Sequence, residues 1–123
     1  QAHYATLEWL MFQIANIGPM YGQAFHFRSV APERVPYAID RYTNEVGRLL
    51  GVVDKRLAKH PYLAGAEYTI ADIATLGWVR NLIGFYGARE IVEYDALKAV
   101  PAWLERGLAR PAVKRGLEIP KRP

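Results

Sequence analysis

The 123-residue chain contains no cysteine, a single serine and only three histidines. Without a thiol there is no disulfide, no cysteine nucleophile, no zinc–thiolate or iron–sulfur site, and no redox chemistry carried by a side-chain thiol of this chain. Any sulfur chemistry has to arrive with another molecule. Ser29 lies outside any G-x-S-x-G setting, there is no glycine-rich phosphate loop, and no close pair of carboxylates shares an apolar face. His3, His26 and His60 are far apart and form neither an H-x-x-x-H nor an H-E-x-x-H pair, so no metal site is expected. Gln13, Asn16, Arg41, Asp54 and Arg80 interrupt every apolar run before the about 18 residues a membrane span needs. The stretch from Gln1 to Ile14 lacks the basic start of a signal peptide, and the chain is expected to be cytoplasmic.

What is present is the composition of one folded domain: 51% apolar, 12% aromatic and 23% charged residues, enough to bury a single hydrophobic core. The first 100 residues carry 10 Lys+Arg and 10 Asp+Glu, and residues 101–123 carry 6 and 2, so the whole formal excess of +4 lies in the tail. Arg106, Arg110, Lys114, Arg115, Lys121 and Arg122 are open to two readings, a phosphate-backbone contact or a solvated basic helix end. No aromatics are interleaved with them in sequence, which favours the helix end.

Apolar periodicity near 3.6 predicts helices throughout, and no segment alternates with period two, so the domain is expected to be all-α with five to six helices. From Thr6 to about Val30 the stripe Leu7, Leu10, Met11, Ile14, Ile17 marks a helix that Gly18-Pro19 is expected to kink or break. Trp9, Phe12, Tyr21, Phe25 and Phe27 suit core packing or the wall of an apolar pocket, and most are assigned to the core. Pro36 to Lys59 carries a narrow apolar face of Ile39, Tyr42, Val46, Leu49, Leu50, Val53 and Leu57. Its opposite face holds Tyr37, Arg41, Asn44 and Arg48, which is either solvated or meets another domain, a second subunit or an anionic ligand. Gly47 and Gly51, one turn apart, suggest that another backbone approaches there.

After the turn-rich His60–Gly65, Thr69 and Asp72 have the spacing of a reciprocal capping box, flanked by Tyr68 and Ile73 as a hydrophobic staple. That position makes Asp72 a cap rather than a general base. The helix they start, Ile70 to Phe85, is apolar nearly all round and is expected to run through the centre of the domain. A loop follows Gly87. Two further helices begin near Lys98, with Pro101 in the first turn, and at Arg110-Pro111, and the end from Pro120 to Pro123 is expected to fray.

Three segments carry a family resemblance: Tyr62-Leu63-Ala64-Gly65, then Tyr68-Thr69-Ile70-Ala71-Asp72-Ile73-Ala74, then Pro101-Ala102-Trp103-Leu104-Glu105-Arg106 with Arg110-Pro111-Ala112-Val113. In this order they resemble the C-terminal helical domain of cytosolic glutathione S-transferases, over residues 1–123. Trp9-Leu10-Met11-Phe12-Gln13, Gly18-Pro19-Met20-Tyr21-Gly22-Gln23, His26-Phe27, Ala31-Pro32-Glu33 and Pro36-Tyr37-Ala38-Ile39-Asp40-Arg41-Tyr42 are similar to the bacterial Nu class and to related fungal prion-like transferases.

The resemblance implies one half of a two-domain, homodimeric detoxification enzyme that uses glutathione for disulfide-bond reduction or for conjugation to electrophiles. The thioredoxin-like domain that binds glutathione is not present in this chain, so these residues are expected to be inactive alone. By resemblance Arg41 is the catalytic arginine beside the glutathione sulfur, and Tyr37 joins it in binding the co-substrate. Phe12, Tyr21, Tyr37 and Phe85 are candidates for the second-substrate pocket, although Met11 and Phe25 replace aromatics found elsewhere in the family. Thr69 and Asp72 are structural, no metal is implied, and no nucleic-acid or membrane partner is expected. The family dimer places the first two helices of each subunit near its twofold axis, beside the Gly47/Gly51 notch. The alternative is a free-standing, non-catalytic interaction module of the kind found in translation elongation factor gamma subunits and synthetase complexes. Arg41 with Tyr37 distinguishes the two, because a scaffold has no need of a guanidinium at the thiol site.

Overall fold

A computed structural model describes residues 1–121. They form six α-helices: α1 (Ala2–Phe12), α2 (Gly18–Phe25), α3 (Pro36–Leu57), α4 (Ile70–Ile83), α5 (Val100–Ala109) and α6 (Pro111–Leu117). A single 3-10 turn, Tyr94–Ala96, lies in the loop before α5, and there is no strand among the described residues. The expected all-α bundle is what folds; the first helix begins at Ala2, four residues before the expected Thr6, and the other helix ends lie within about two residues of those read from the sequence. Arg122 and Pro123, part of the expected basic tail and frayed end, lie outside the described residues.

Pro19 does not break the first helix. The path stays helical from Ala2 to Val30, with π-helical turns at Gln13–Ile17 and His26–Val30 on either side of α2. In a regular α-helix the ring of Pro19 would collide with the Ala15 carbonyl and leave it without a donor. The first wide turn, in which the Gly18 N–H donates to Gln13 O five residues back, relieves that conflict just before the proline. Gly18 also meets α4 closely, since a Cβ there would sit 3.2 Å from the Trp78 ring. The second π turn ends at Ala31, where ψ reaches 134° because the residue before Pro32 is pushed out of the helical region.

The core gathers on α3, whose Val46, Leu49, Leu50, Val53 and Leu57 are buried against Ile17 and Tyr21 of the first helix, Val79 and Leu82 of α4, and Val100 and Trp103 of α5. α4 is less enclosed than its apolar sequence implies. Ala71, Asp72, Thr75, Leu76, Val79 and Leu82 are buried, whereas Ile70 and Ile73 are 53% and 57% exposed on its outer side. The expected backbone approach at Gly47 and Gly51 does not occur among the described residues, because a Cβ at either position meets nothing within 4 Å. The close approach is at Gly107 instead, where α5 lies so near α4 that a Cβ would run into Leu76 Cδ1.

The basic tail is partly tied down by partners distant in sequence. The Arg106 guanidinium donates to Pro61 O at 2.8 Å and lies 5.8 Å from the centre of the Tyr62 ring, while Arg110 lies 3.9 Å from that of Tyr68. Among the described residues no helix is long and apolar enough to cross a membrane.

Candidate functional site

The outward face of α3 carries the candidate site. Pro36, preorganised for a first helical turn, starts the helix, and the 3.6-residue period then sends Tyr37, Arg41, Asn44 and Arg48 away from the core. All four are exposed, Tyr37 to 75%. The two arginines differ in what they can do. The Arg48 guanidinium is held in a bidentate pair by Glu45, with Nε–Oε2 and Nη2–Oε1 distances of 2.7 and 2.8 Å. Those donated hydrogen bonds pull the Glu45 carboxyl below its usual range, against the opposing effect of burial and with help from the charges of Arg48 and Arg41. Arg41 has no ion-pair or side-chain hydrogen-bond partner among the described residues. It stands one helical turn from the exposed Tyr37 ring, so a free cation and a phenol face the same direction.

The neighbour of Arg41 is fixed from below. Tyr42 stacks on Phe27 with ring centroids 5.5 Å apart and planes 9° from parallel, joining the second π turn to the start of α3. The free guanidinium therefore stands on a braced segment of helix.

The four aromatic pocket candidates do not converge. Phe12 is half-buried edge-to-face against Trp9 at 5.3 Å, Tyr21 is 0% exposed, Tyr37 stands on α3, and Phe85 is 73% exposed just beyond the end of α4. Phe25 and Tyr86 link two of them. Their rings stack at 4.3 Å, Phe85 tilts against Phe25 at 5.6 Å, and Tyr21, Phe25 and Tyr86 line one small cavity. The Phe25–Tyr86 stack escaped the sequence reading because 61 positions separate the partners and only the folded loop after α4 brings them together.

Thr69 and Asp72 form the expected capping box. The Thr69 hydroxyl accepts from Ala71 N at 3.3 Å, and Asp72 Oδ2 accepts from Thr69 N at 3.0 Å. Asp72 does more than cap. Its other oxygen accepts from Leu63 N at 3.0 Å and from Trp103 Nε1 at 2.9 Å, so one wholly buried carboxylate joins the 60–69 turn, α4 and α5. Among the described residues no group of three or more His, Cys, Asp or Glu side chains is placed to hold a metal ion.

An all-helical bundle whose central helix is capped by Thr69 and anchored through Asp72 to a buried tryptophan has the fold of a glutathione transferase helical domain. The family model "Glutathione S-transferase, C-terminal domain" matches residues 17–111, and the chain belongs to that family. Among curated relatives, the disulfide-bond oxidoreductase YfcG of Escherichia coli is 43% identical over 113 residues, which is 92% of this chain and 50% of the relative. The disulfide-bond oxidoreductase YghU of the same organism is 45% identical over 114 residues, 90% of this chain and 39% of the relative. Among solved structures, a glutathione transferase of Burkholderia graminis with two glutathione molecules bound per subunit superposes with a TM-score of 0.92 at 47% identity, over 98% of this chain and 51% of that one. A Pseudomonas putida glutathione transferase with one glutathione disulfide bound per subunit gives 0.91 at 47% identity, over 97% and 52%. The chain thus spans about half the length of these relatives, or less.

Proposed function

We propose that this chain is the helical half of a Nu-class-like glutathione transferase, paired in the full-length protein with a thioredoxin-like half that binds glutathione. The observation that carries the reading is Arg41, the guanidinium on the outer face of α3 that makes no ion pair or side-chain hydrogen bond among the described residues. Opposite Arg41, a thiol is favoured in its thiolate form, the nucleophile for attack on a disulfide sulfur or an electrophilic carbon. Tyr37, one turn earlier, helps to hold the glutathione. Phe85 offers exposed apolar surface to a second substrate, with Tyr21 behind the Phe25 ring it tilts against, and Phe12 offers a separate, half-buried one. The names of the two Escherichia coli relatives support disulfide-bond reduction as the main activity, with conjugation beside it. The protein acts in the cytoplasm, needs no metal, and works as a homodimer whose first helices face each other. An exposed stripe on α1 and the first π turn, Tyr4, Leu7, Met11 and Ile14, supports that arrangement, since it runs along one face at helical spacing with 76%, 38%, 53% and 52% of each residue exposed.

The test is glutathione-dependent reduction of a small mixed disulfide by the full-length protein at neutral pH. Arg41→Ala is expected to lower turnover roughly tenfold or more, the effect of a shift of about one unit in the thiol's pKa. The helical circular dichroism should be unchanged, because Arg41 is exposed and holds no hydrogen bond or ion pair among the described residues. Unaltered turnover would remove Arg41 from the mechanism. Absence of both turnover and glutathione binding in the unmutated protein would leave a helical interaction module.

A further inference from the structure

Among the described residues Tyr21 Oη and Thr43 Oγ1 are both buried with no hydrogen-bond partner in the protein, and both residues line one cavity. Tyr21 comes from α2 and Thr43 from α3. The remaining walls are apolar for the most part, including Ala24, Val46, Leu82 and Val92, the last from the loop after α4, while Arg28 and Ser29 of the second π turn, both exposed, also line it. Tyr21 is 0% exposed, so bulk water does not reach its hydroxyl. A hydroxyl removed from water and left unpaired is costly, and buried polar groups of native proteins are paired with protein or with ordered water.

The cavity has room for a water: its volume of about 20 Å³ exceeds the roughly 10–15 Å³ that one needs. Each hydroxyl can both donate and accept, so the pair meets the minimum of two polar partners that a buried water requires. Burial also raises the pKa of the Tyr21 hydroxyl above its ordinary value, which is already well above neutral, so it remains a donor.

We propose that a single ordered water bridges Tyr21 Oη and Thr43 Oγ1 and ties α2 to α3 across the core. Thr43 is two positions along α3 from Arg41, so the bridge holds from inside the stretch of helix that presents the guanidinium outside. The bridge does not depend on the activity of the full-length protein, and it gives Tyr21 a positioning role from within.

A crystal structure of the full-length protein at a resolution that shows ordered solvent tests this directly. The expected result is one density peak about 2.5–3.0 Å from both hydroxyl oxygens. In parallel, urea unfolding is compared for Tyr21→Phe, Thr43→Val and the double variant. Each single variant should raise the unfolding constant, and the double should fall short of the product of the two by about threefold or more, the signature of a shared partner. A cavity without density, a peak bonded to only one hydroxyl, or independent single-variant effects would overturn the proposal. Should a variant fail to fold, the density in the unmutated protein decides.

Discussion

Asp72 accepts hydrogen bonds from Leu63 N, Thr69 N and Trp103 Nε1, and each donor belongs to a different stretch of the chain. An N-terminal cap alone is worth about 0.5–2 kcal/mol, whereas each buried N–H left without a partner costs about 1–3 kcal/mol. Asp72→Ala is therefore expected to cost more than a surface cap, about 3 kcal/mol or more, read as a large fall in melting temperature. Trp103→Phe removes one donor and keeps most of the apolar bulk, so it should cost less than Asp72→Ala. The effects of the two substitutions should also be non-additive, because they share a hydrogen bond. Equal losses from Asp72→Ala and from an exposed cap would show that the buried bonds add nothing. At the same scale, Arg41 and Arg48 are chemically alike and lie on one face, yet Glu45 closes its bidentate pair with Arg48 and leaves Arg41 without an ion pair among the described residues.

At the scale of elements, α5 shows how one helix depends on another. Its N-terminus has no cap of its own: Ala99 offers no side-chain acceptor, and Pro101 only presets the backbone. Asp54 of α3 supplies the acceptor, taking the N–H groups of Lys98, Ala99 and Val100 at 3.2, 2.8 and 2.9 Å. Burial pushes the Asp54 carboxyl up, but these three donors and the Lys98 charge outweigh it and hold the pKa below the ordinary value. A carboxyl with a lowered folded pKa binds its proton less readily folded than unfolded. Its stabilisation is therefore complete above the unfolded value of about 3.9 and is lost as the pH falls through the folded value. Asp54→Ala is expected to destabilise the domain by about 0.5–2 kcal/mol at neutral pH. The gap between the variant and the parent should narrow in melts run progressively below about pH 4. A pH-independent gap would remove the charge from the account.

For the whole molecule, the exposed stripe on α1 is apolar surface that a monomer gains nothing by showing to water. Within the homodimer proposed above, Met11→Lys places a charge in that surface. It should weaken dimerisation of the full-length protein by about tenfold or more, equivalent to at least about 1.4 kcal/mol, in sedimentation equilibrium. Unchanged association would place the dimer contact elsewhere.

The helices and the Thr69–Asp72 box were legible along the chain because their causes are local. Apolar spacing sets each helix face, a proline pushes the residue before it out of the helical region, and a cap acts over three residues. Arg41 and Tyr37 were legible as an outward pair because the period of α3 fixes which face they share. The rest depends on residues that meet only after folding. Pro19 gives warning of a break, but whether a helix breaks or widens rests on packing against neighbours such as Trp78. Glycine spacing singled out Gly47 and Gly51, while the tight contact formed at Gly107, because closeness is set by how two helices cross and not by either sequence alone. Asp54 caps a helix 45 residues away, Asp72 reaches Trp103 across 31, and Tyr21 shares a cavity with Thr43. No local pattern records such pairs, since each exists only once the core has brought its two segments together.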